Sequence, residues 1–325
     1  MIKKQLNSPL IIQKLETLLR RLPPHHSKRA IVEEQLGKFR SGFMGEQALD
    51  YFYRYLPKRE IIFTHNIRIF HMDYYFQIDT LIMTSKFFIL LEIKNYTGHL
   101  YFDDKFGQLI RTLNEKKDFF DDPIQQIKRQ LYHLKKVLRN HSFPKIPIEP
   151  LVVISNKNSY IECSPGYKEA LTLIIKSHKL QNKFDEFTRK YSETLITIRE
   201  MKKINKLLNK LNEPYDTDIL KNLDIKPSEL VSGVLCLDCK HNYKMERKAA
   251  IWTCIKCGNR SKNAHVFALR DYALLRSPQI TNKHCKEYLN LGSSDQSYYL
   301  LNSLNLSYSG TSRRTRTYHL DSLIT

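Results

Sequence analysis

The sequence predicts an α/β protein in which helices flank a sheet, followed by two smaller C-terminal modules. Helical and strand-type apolar periodicities alternate over roughly residues 1–180, the pattern of a sheet covered by helices. Two C-x-x-C pairs come next, and residues 263–325 combine two capped helices with a hairpin pattern. A chain of 325 residues can hold two or three domains.

The individual elements follow from local signals along the chain. Helices are predicted over about residues 10–22, 45–56, 123–140 and 181–212, the last of them rich in lysine. Pro123 suits the first turn of its helix, where a missing N–H costs nothing. Strands are predicted over about residues 60–70, 76–83, 87–94, 98–102, 108–111, 150–155 and 172–175.

Composition limits the class of partner. The net charge of +20 is spread along the chain and predicts polyanion partners, either nucleic acid or an anionic membrane surface. A 42% hydrophobic content with 11% aromatic residues argues against wholesale disorder. No run of about 18 uncharged apolar residues occurs, so no membrane span is expected. Polar residues interrupt the apolar stretch after Met1, unlike a secretory signal, and we expect a cytoplasmic protein.

The most informative segment is an apolar hairpin that carries three charged residues. Thr84-Ser85-Lys86 separates two apolar runs and predicts a tight turn. A turn centred on Ser85 and Lys86 pairs residues whose numbers sum to 171, which places Asp79 opposite Glu92 with Cβ atoms roughly 5 Å apart. Lys94 shares a face with Glu92, because strand side chains alternate. Two carboxylates and an ammonium suit a divalent cation and a phosphodiester, although charges at strand ends often simply reach solvent.

The surrounding motifs strengthen the metal-site hypothesis. Gly45-Glu46 opens a helix upstream, Ile78-Asp79 and Glu92-Ile93-Lys94-Asn95-Tyr96-Thr97-Gly98 form the hairpin, and Asp122-Pro123-Ile124-Gln125-Gln126 opens a later helix. In this order they resemble the nuclease-related domain (NERD) family, within the PD-(D/E)xK nuclease-like group, over roughly residues 42–155. The resemblance implies a mixed sheet of the restriction-endonuclease type, flanked by helices.

The resemblance also implies roles for individual residues. Asp79 and Glu92 would hold Mg²⁺ or Mn²⁺, and Lys94 would orient the attacking water or stabilise charge on the phosphorane. Glu46 would reach the metal directly or through water, and Gln126 would position substrate or the lysine. Simpler alternatives remain for two of them, since Glu46 also complements the helix dipole and Gln126 also suits a surface position. Asp122 departs from the family, which more often has Asn before the proline.

Four of the six cysteines predict a structural zinc site. Two C-x-x-C turns separated by fourteen residues can supply a tetrahedron of thiolates. A disulfide pair is disfavoured in a cytosolic chain, and a redox motif would not occur twice at this spacing. Four protein ligands leave no open position, so this Zn²⁺ would not be catalytic. The predicted ligands are Cys236, Cys239, Cys254 and Cys257.

The C-terminal residues have the outline of a winged helix. Thr281 and Ser293 are predicted to cap two short helices, and residues 306–320 read as a hairpin with a basic tip. Residues 297–299 would lie on the recognition helix, and the tip would grip DNA phosphates. The alternative is a helical hairpin for dimer contacts with a solvated basic loop. The tip arginines are Arg313, Arg314 and Arg316.

These observations predict a metal-dependent nuclease that acts on DNA, and a homodimer is a further expectation. The alternative is a non-catalytic DNA-binding regulator or scaffold that uses the zinc ribbon and winged helix. A third hypothesis, association with an anionic membrane, fits the charge but leaves the Asp79, Glu92 and Lys94 trio unexplained. The predicted segments are an N-terminal helical part (1–40), the nuclease-like domain (41–180), a helical connector (181–229), the zinc ribbon (230–262) and the winged-helix-like module (263–325).

Overall fold

The structure, a computed structural model, describes residues 2–3, 7–57 and 60–324, with side chains described from residue 7 onward. Met1, which entered the N-terminal expectation, lies outside the described residues. The chain forms two compact units, each built from two stretches of sequence. Unit 1 comprises residues 1–8 and 40–215, and unit 2 comprises residues 9–39 and 216–325. The division into five segments stays a prediction.

Helices and strands are both distributed along the whole described chain. In chain order, the α-helices are α1 Leu10–Arg21, α2 Arg29–Tyr53, α3 Pro123–Asn140, α4 Lys168–Leu173, α5 Leu180–Lys190, α6 Ile198–Lys210, α7 Ile219–Asn222, α8 Ala264–Leu275, α9 Asn282–Leu289 and α10 Ser294–Ser303. The strands are β1 Ile2–Lys3, β2 Ile62–His71, β3 Tyr74–Met83, β4 Phe88–Lys94, β5 Gly98–Asp103, β6 Gln108–Leu113, β7 Lys116–Asp121, β8 Ile148–Ile154, β9 Ser159–Cys163, β10 Ile174–Lys176, β11 Met245–Lys248, β12 Ile251–Cys254, β13 Arg260–Ser261, β14 Gln279–Thr281, β15 Tyr308–Ser309 and β16 Thr317–His319.

A mixed six-stranded sheet forms the centre of unit 1, in the order β1-β2-β3-β4-β8-β10. Strands β2, β3 and β4 pair antiparallel, whereas β4, β8 and β10 pair parallel. Helices α3 and α6 contribute to the apolar cluster on one side, and α2 and α5 contribute to a second cluster. The predicted mixed sheet flanked by helices is confirmed. A second, four-stranded sheet has the order β7-β6-β5-β9.

The β3–β4 hairpin has the register expected from its turn. Thr84 N–H donates to the Phe87 carbonyl at 3.1 Å and closes the turn. Thr80 pairs with Leu91, so paired residue numbers sum to 171 as predicted. On the other side of β3, the pairs His65–Thr80 and Ile67–Ile78 place Asn66 opposite Asp79.

Within unit 2, an ion pair joins two parts of the chain that are distant in sequence. Arg21, in α1, donates from Nε to Asp271 Oδ2 in α8 at 2.7 Å, and from a terminal nitrogen to the Gly233 carbonyl at 2.7 Å. Both charged side chains are buried, where such a pair is sustained only by full hydrogen bonding. Strands β11, β12 and β13 form one small sheet, and the order β14-β16-β15 forms another.

Several elements differ from the sequence-based prediction. Helix α2 begins at Arg29 rather than near Gly45. The predicted helix over residues 181–212 is two helices, because residues 191–197 are irregular and Thr197 caps α6. Residues 172–175 fall on the end of α4 and the start of β10. Within the described residues, no helix combines the length and apolarity needed to cross a membrane.

Candidate active site

The predicted acidic pair and lysine lie together at the C-terminal end of β4. Glu92 is only 2% exposed, and its Oε1 lies 2.7 Å from Lys94 Nζ. Asp79 Oδ2 accepts a hydrogen bond of 2.8 Å from the Ile93 amide, which holds the carboxylate beside β4. Strand alternation places Glu92 and Lys94 on one face, as expected.

Helix α3 contributes two glutamines to the same place. Lys94 Nζ donates to Gln126 Oε1 at 3.0 Å, and Gln130 Nε2 donates to Glu92 Oε2 at 2.6 Å. The two glutamines are four residues apart and therefore share a helix face. The sequence prediction included Gln126 but missed Gln130. The spacing is visible in the sequence, yet only the packing of α3 on the sheet shows which face turns inward.

The N-terminus of α3 is anchored by Asp122. Its Oδ1 accepts from the Ile124 amide at 2.8 Å, which is an N-cap, and its Oδ2 accepts from the Tyr167 hydroxyl at 2.6 Å. A buried cap with both oxygens engaged fixes where α3 begins. Asp122 stands where the family more often has Asn, yet it fixes the start of α3 and with it the position of Gln126.

Helix α2 brings Glu46 to the site through close packing at Gly45. A Cβ at Gly45 would lie 2.6 Å from Asn95 Cβ and 2.8 Å from Ser155 Oγ, so only glycine permits this approach to the ends of β4 and β8. Glu46 Oε2 accepts from Asn66 Nδ2 at 2.9 Å. Asn66 has a φ of 50°, a left-handed conformation that Asn tolerates and that interrupts β2 opposite Asp79. The sequence prediction missed Asn66.

Burial and mutual repulsion perturb the acids. Burial is the largest cause that raises the pKa of Asp79 well above its usual value, and repulsion from Glu92 and Glu46 adds to it. Burial likewise raises the pKa of Glu46 to about 7, opposed by the Asn66 hydrogen bond and reinforced by Glu92. For Lys94, burial lowers the pKa, but attraction to Glu92 and Asp79 outweighs it, so the pKa lies above 10.5 and the ammonium stays charged.

The five residues predicted for this site are thus brought into one neighbourhood, and a family comparison covers the same stretch of chain. The family model described as the nuclease-related domain matches residues 41–155. Residues 41–155 are a nuclease-related domain. The match begins just before Gly45 and ends just after β8, so it includes every strand and helix that positions Asp79, Glu92, Lys94 and Gln126. No curated protein and no solved structure matches the chain.

The carboxylate oxygens of the acids in the nuclease-related domain lie farther apart than the ligand atoms of a closed metal site. Among the described residues, a group of three or more His, Cys, Asp or Glu ligand atoms within 4.8 Å of one another occurs only at the four cysteines. Glu46, Asp79 and Glu92 are therefore more widely spread, and both Glu92 oxygens have protein partners.

The four predicted cysteines meet in unit 2. The Sγ atoms of Cys236 and Cys257 lie 3.7 Å apart, and those of Cys239 and Cys254 lie 3.8 Å apart. A tetrahedral zinc with bonds of about 2.3 Å requires sulfurs about 3.8 Å apart, whereas a disulfide requires about 2 Å. Gly258, at φ 71°, turns the chain after the second pair. This cluster could hold a metal ion and fits a zinc ribbon.

The C-terminal arginines do not all project into solvent. The Arg313 guanidinium pairs with Asp295 and lies 4.2 Å from the centre of the Tyr298 ring. Arg316 is partly buried and lies 4.2 Å from the Tyr308 ring, whereas Arg313 and Arg314 are exposed. The sequence predicts Ser297 on the recognition helix; in the structure it is buried, and its hydroxyl donates to the Asn282 carbonyl at 2.8 Å. Its place on the helix α10 is as expected, but it faces inward.

Proposed function

We propose that this protein is a divalent-metal-dependent nuclease that hydrolyses phosphodiester bonds in DNA. The observation that carries the proposal is the Glu92–Lys94 pair, 2.7 Å apart and facing Asp79, inside a nuclease-related domain. Buried charges are costly and persist at sites where chemistry needs them. A pure DNA-binding surface has no use for acids beside a phosphate.

The donor set fits a hard divalent cation. Burial raises the pKa values of Asp79 and Glu46, and repulsion from neighbouring acids adds to it; Mg²⁺ or Mn²⁺ would neutralise this negative charge. Carboxylate oxygens are the ligands these ions prefer. Asp79 and Glu92 would hold the ion, with Glu46 directly or through water. When bound, the ion would act as a Lewis acid on a phosphoryl oxygen.

The remaining side chains support the reaction from the protein side. The Lys94 ammonium, charged at neutral pH, would stabilise the negative charge that develops on the phosphate oxygens or orient the attacking water. Gln126 limits the position of Lys94 Nζ through its 3.0 Å hydrogen bond. Gln130 limits the rotation of Glu92 in the same way.

The C-terminal part of unit 2 would supply DNA binding. The element order α8-β14-α9-α10-β15-β16, with β16 paired between β14 and β15, supports the proposal of a winged helix. The basic loop between β15 and β16 would be the wing, with Arg313, Arg314 and Arg316 near DNA phosphates. The four cysteines would hold a structural Zn²⁺ next to this module.

The function is tested by removing single charges from the acidic pair. We expect Asp79→Asn and Glu92→Gln to lower Mg²⁺- or Mn²⁺-dependent cleavage of labelled single-stranded, duplex and branched DNA by on the order of 10²-fold. Asp73→Asn, at the exposed tip of the β2–β3 hairpin, is the matched control. Wild-type rates in both site variants would refute the assignment.

The alternative of a non-catalytic DNA-binding protein is favoured by one observation. Lys94 contacts one Glu92 oxygen and Gln130 contacts the other, so protein groups alone give each oxygen of this carboxylate a partner. This alternative predicts DNA binding that divalent ions do not change and no cleavage of any of the three DNA substrates. Metal-dependent cleavage by the wild-type protein, lost in the Asp79 variant, would exclude it.

A further inference from the structure

A cavity of about 820 Å³ lies in unit 1, away from the candidate active site. It is formed by the second half of α3, the loop that leads into β8 and the segment after α5. Cavities of roughly 300–1,000 Å³ are typical of ligand-binding sites. The dimensions are therefore sufficient for several side chains of a bound segment.

The walls of this cavity are apolar. Leu138, Phe143, Ile146 and Ile148 line it, and Leu195 lies on its far side. The Leu195 side chain is exposed, so part of this apolar surface is open to a partner. Removal of such apolar surface from water by a bound ligand is favourable.

The rim of the cavity is strongly basic. Lys135, Lys136 and Arg139 project from α3, and Lys145 lies on the opposite loop. The described residues that line the cavity include no carboxylate. Glu149, next along β8, is already paired with Lys190 at 2.8 Å and with the Tyr191 hydroxyl. The rim therefore has excess positive charge, with no acid in the lining to balance it.

The position of the cavity separates it from the proposed chemistry. Ile148 begins β8 and pairs in parallel with Phe88, the first residue of β4, whereas Glu92 and Lys94 lie at the other end of β4. Along α3, Arg139 is thirteen residues beyond Gln126, or about 20 Å at 1.5 Å per residue. An occupant of the cavity would leave the candidate active site open.

We propose that this cavity docks an acidic segment of a partner protein, with an aromatic or aliphatic anchor flanked by at least two carboxylates. The anchor would fill the space between the apolar walls. A DNA backbone is charged and cannot replace it there. The carboxylates would face the cations, because Lys135 and Arg139 are one helical turn apart, about 6 Å, close to the spacing of alternate residues in an extended peptide. This is recruitment of the protein to a partner, independent of the nuclease proposal.

The test is a selection of displayed random twelve-residue peptides on the full-length protein. We expect enriched peptides to carry two or more acidic residues beside a leucine or an aromatic residue. Their affinity should fall at least tenfold in Lys135→Glu/Lys136→Glu/Arg139→Glu and also in Leu195→Glu, which alters the apolar wall. The matched control reverses three exposed lysines of α6, Lys202→Glu/Lys203→Glu/Lys206→Glu, and should bind as the wild type does.

Other outcomes would overturn the proposal. Equal loss of affinity in the cavity variant and the α6 control would indicate nonspecific charge attraction. Failure to enrich any peptide on the wild-type protein relative to the charge-reversed protein would rule out a peptide site. Displacement of the peptides by duplex DNA or by phosphatidylglycerol vesicles, where those competitors bind the cavity variant less tightly and the α6 variant as tightly as the wild type, would assign the cavity to DNA or lipid instead.

Discussion

Glu46 and Asp79 are acids whose protonated forms are favoured by their surroundings, and this affects stability as well as chemistry. The pKa of Glu46 is about 7 in the folded protein, whereas it is about 4.5 in the unfolded chain. Between these values the folded state binds more protons than the unfolded state. Stability must therefore fall as the pH rises through this window. The raised pKa of Asp79 acts in the same direction.

We therefore predict a pH-dependent stability that a metal suppresses. In a chelator, the free energy of unfolding should decrease between about pH 4.5 and 7, and Glu46→Gln should flatten this decrease, because Gln cannot ionise. Denaturant unfolding at a series of pH values measures it. Saturating Mg²⁺ should flatten the wild-type curve as well. A slope that is the same in the wild type and in Glu46→Gln would contradict the assigned cause.

At the scale of single residues, the sequence allows Asp79, Glu92 and Lys94 to be predicted, because a tight turn and strand alternation determine which side chains face one another. Gln130 and Asn66 escape such reasoning for physical reasons. The partner of Gln130 depends on how α3 crosses the sheet, and the left-handed conformation of Asn66 interrupts an otherwise regular strand. Both depend on long-range packing, for which local patterns carry no signal.

Among the elements, α2 shows how a glycine, Gly45, allows close packing that positions its neighbour Glu46. The distances from a Cβ at Gly45 to its neighbours are shorter than real Cβ atoms tolerate, whereas a Cβ at Gly42, three residues earlier on the same helix, would meet nothing within 4 Å. Replacement of either glycine by alanine therefore changes helix propensity in the same way, and the two positions differ in packing.

Substitution of the two glycines should have opposite effects. Gly42→Ala should stabilise the protein by up to about 1 kcal/mol, because alanine is the better helix former. Gly45→Ala should destabilise it and lower the cleavage rate, since α2 must move away from Asn95 and carry Glu46 with it. Thermal unfolding and cleavage assays on both variants test this. Stabilisation by Gly45→Ala would show that the close approach is not required.

The cysteine cluster leads to a prediction about metal content. The purified reduced protein should contain one zinc, and Cys254→Ser should release it, because three thiolates bind far more weakly than four. Residues 230–262 should then become sensitive to protease, since metal-binding energy is folding energy in such modules.

Cys163→Ser is the control for this experiment. Cys163 lies on β9 in the other unit, so its substitution should leave the zinc in place. Elemental analysis measures the metal in each variant. Freshly prepared reduced protein without zinc would refute the site.

Elements with strong local signals are predictable from the sequence and others are not. Helix α3 runs over the predicted residues, because Pro123 marks its start and the apolar periodicity continues to its end. Strands β7 and β9 are missed, since their side chains are largely exposed and carry little apolar alternation. Helix α8 is apolar on most of its surface, so its sequence lacks the periodic alternation of apolar and polar residues that would predict a helix.

For the whole molecule, the net charge of +20 predicts salt-sensitive association with a polyanion. If the loop after β15 is a wing, replacing Arg313, Arg314 and Arg316 by Ala should reduce the slope of log K against log salt by up to about 0.9 for each phosphate that is no longer neutralised. Affinity should fall similarly for different DNA sequences, because phosphate contacts carry no base information. Cleavage at saturating DNA should persist, since Asp79 and Glu92 lie in the other unit.

The control for the wing variant is Lys202→Ala/Lys203→Ala/Lys206→Ala, which removes the same number of charges from α6. A salt slope that changes equally in both variants would indicate diffuse attraction. An unchanged slope in the arginine variant would favour a dimer or partner contact at this loop. Arg313 already pairs with Asp295, so Arg314→Ala alone should account for a large part of the effect.

The hydrogen bond between Arg21 and Asp271 joins residues that are 250 positions apart in the chain. At about 5–20 residues per second, a ribosome needs roughly 10–50 seconds to reach Asp271 after it has made Arg21. During that interval the buried arginine of α1 lacks its carboxylate partner, while residues 40–215 are synthesised. The unit with the candidate active site can therefore mature first on the ribosome. A nascent chain released before residue 271 would leave the apolar face of α1 exposed, a target for chaperones and proteases.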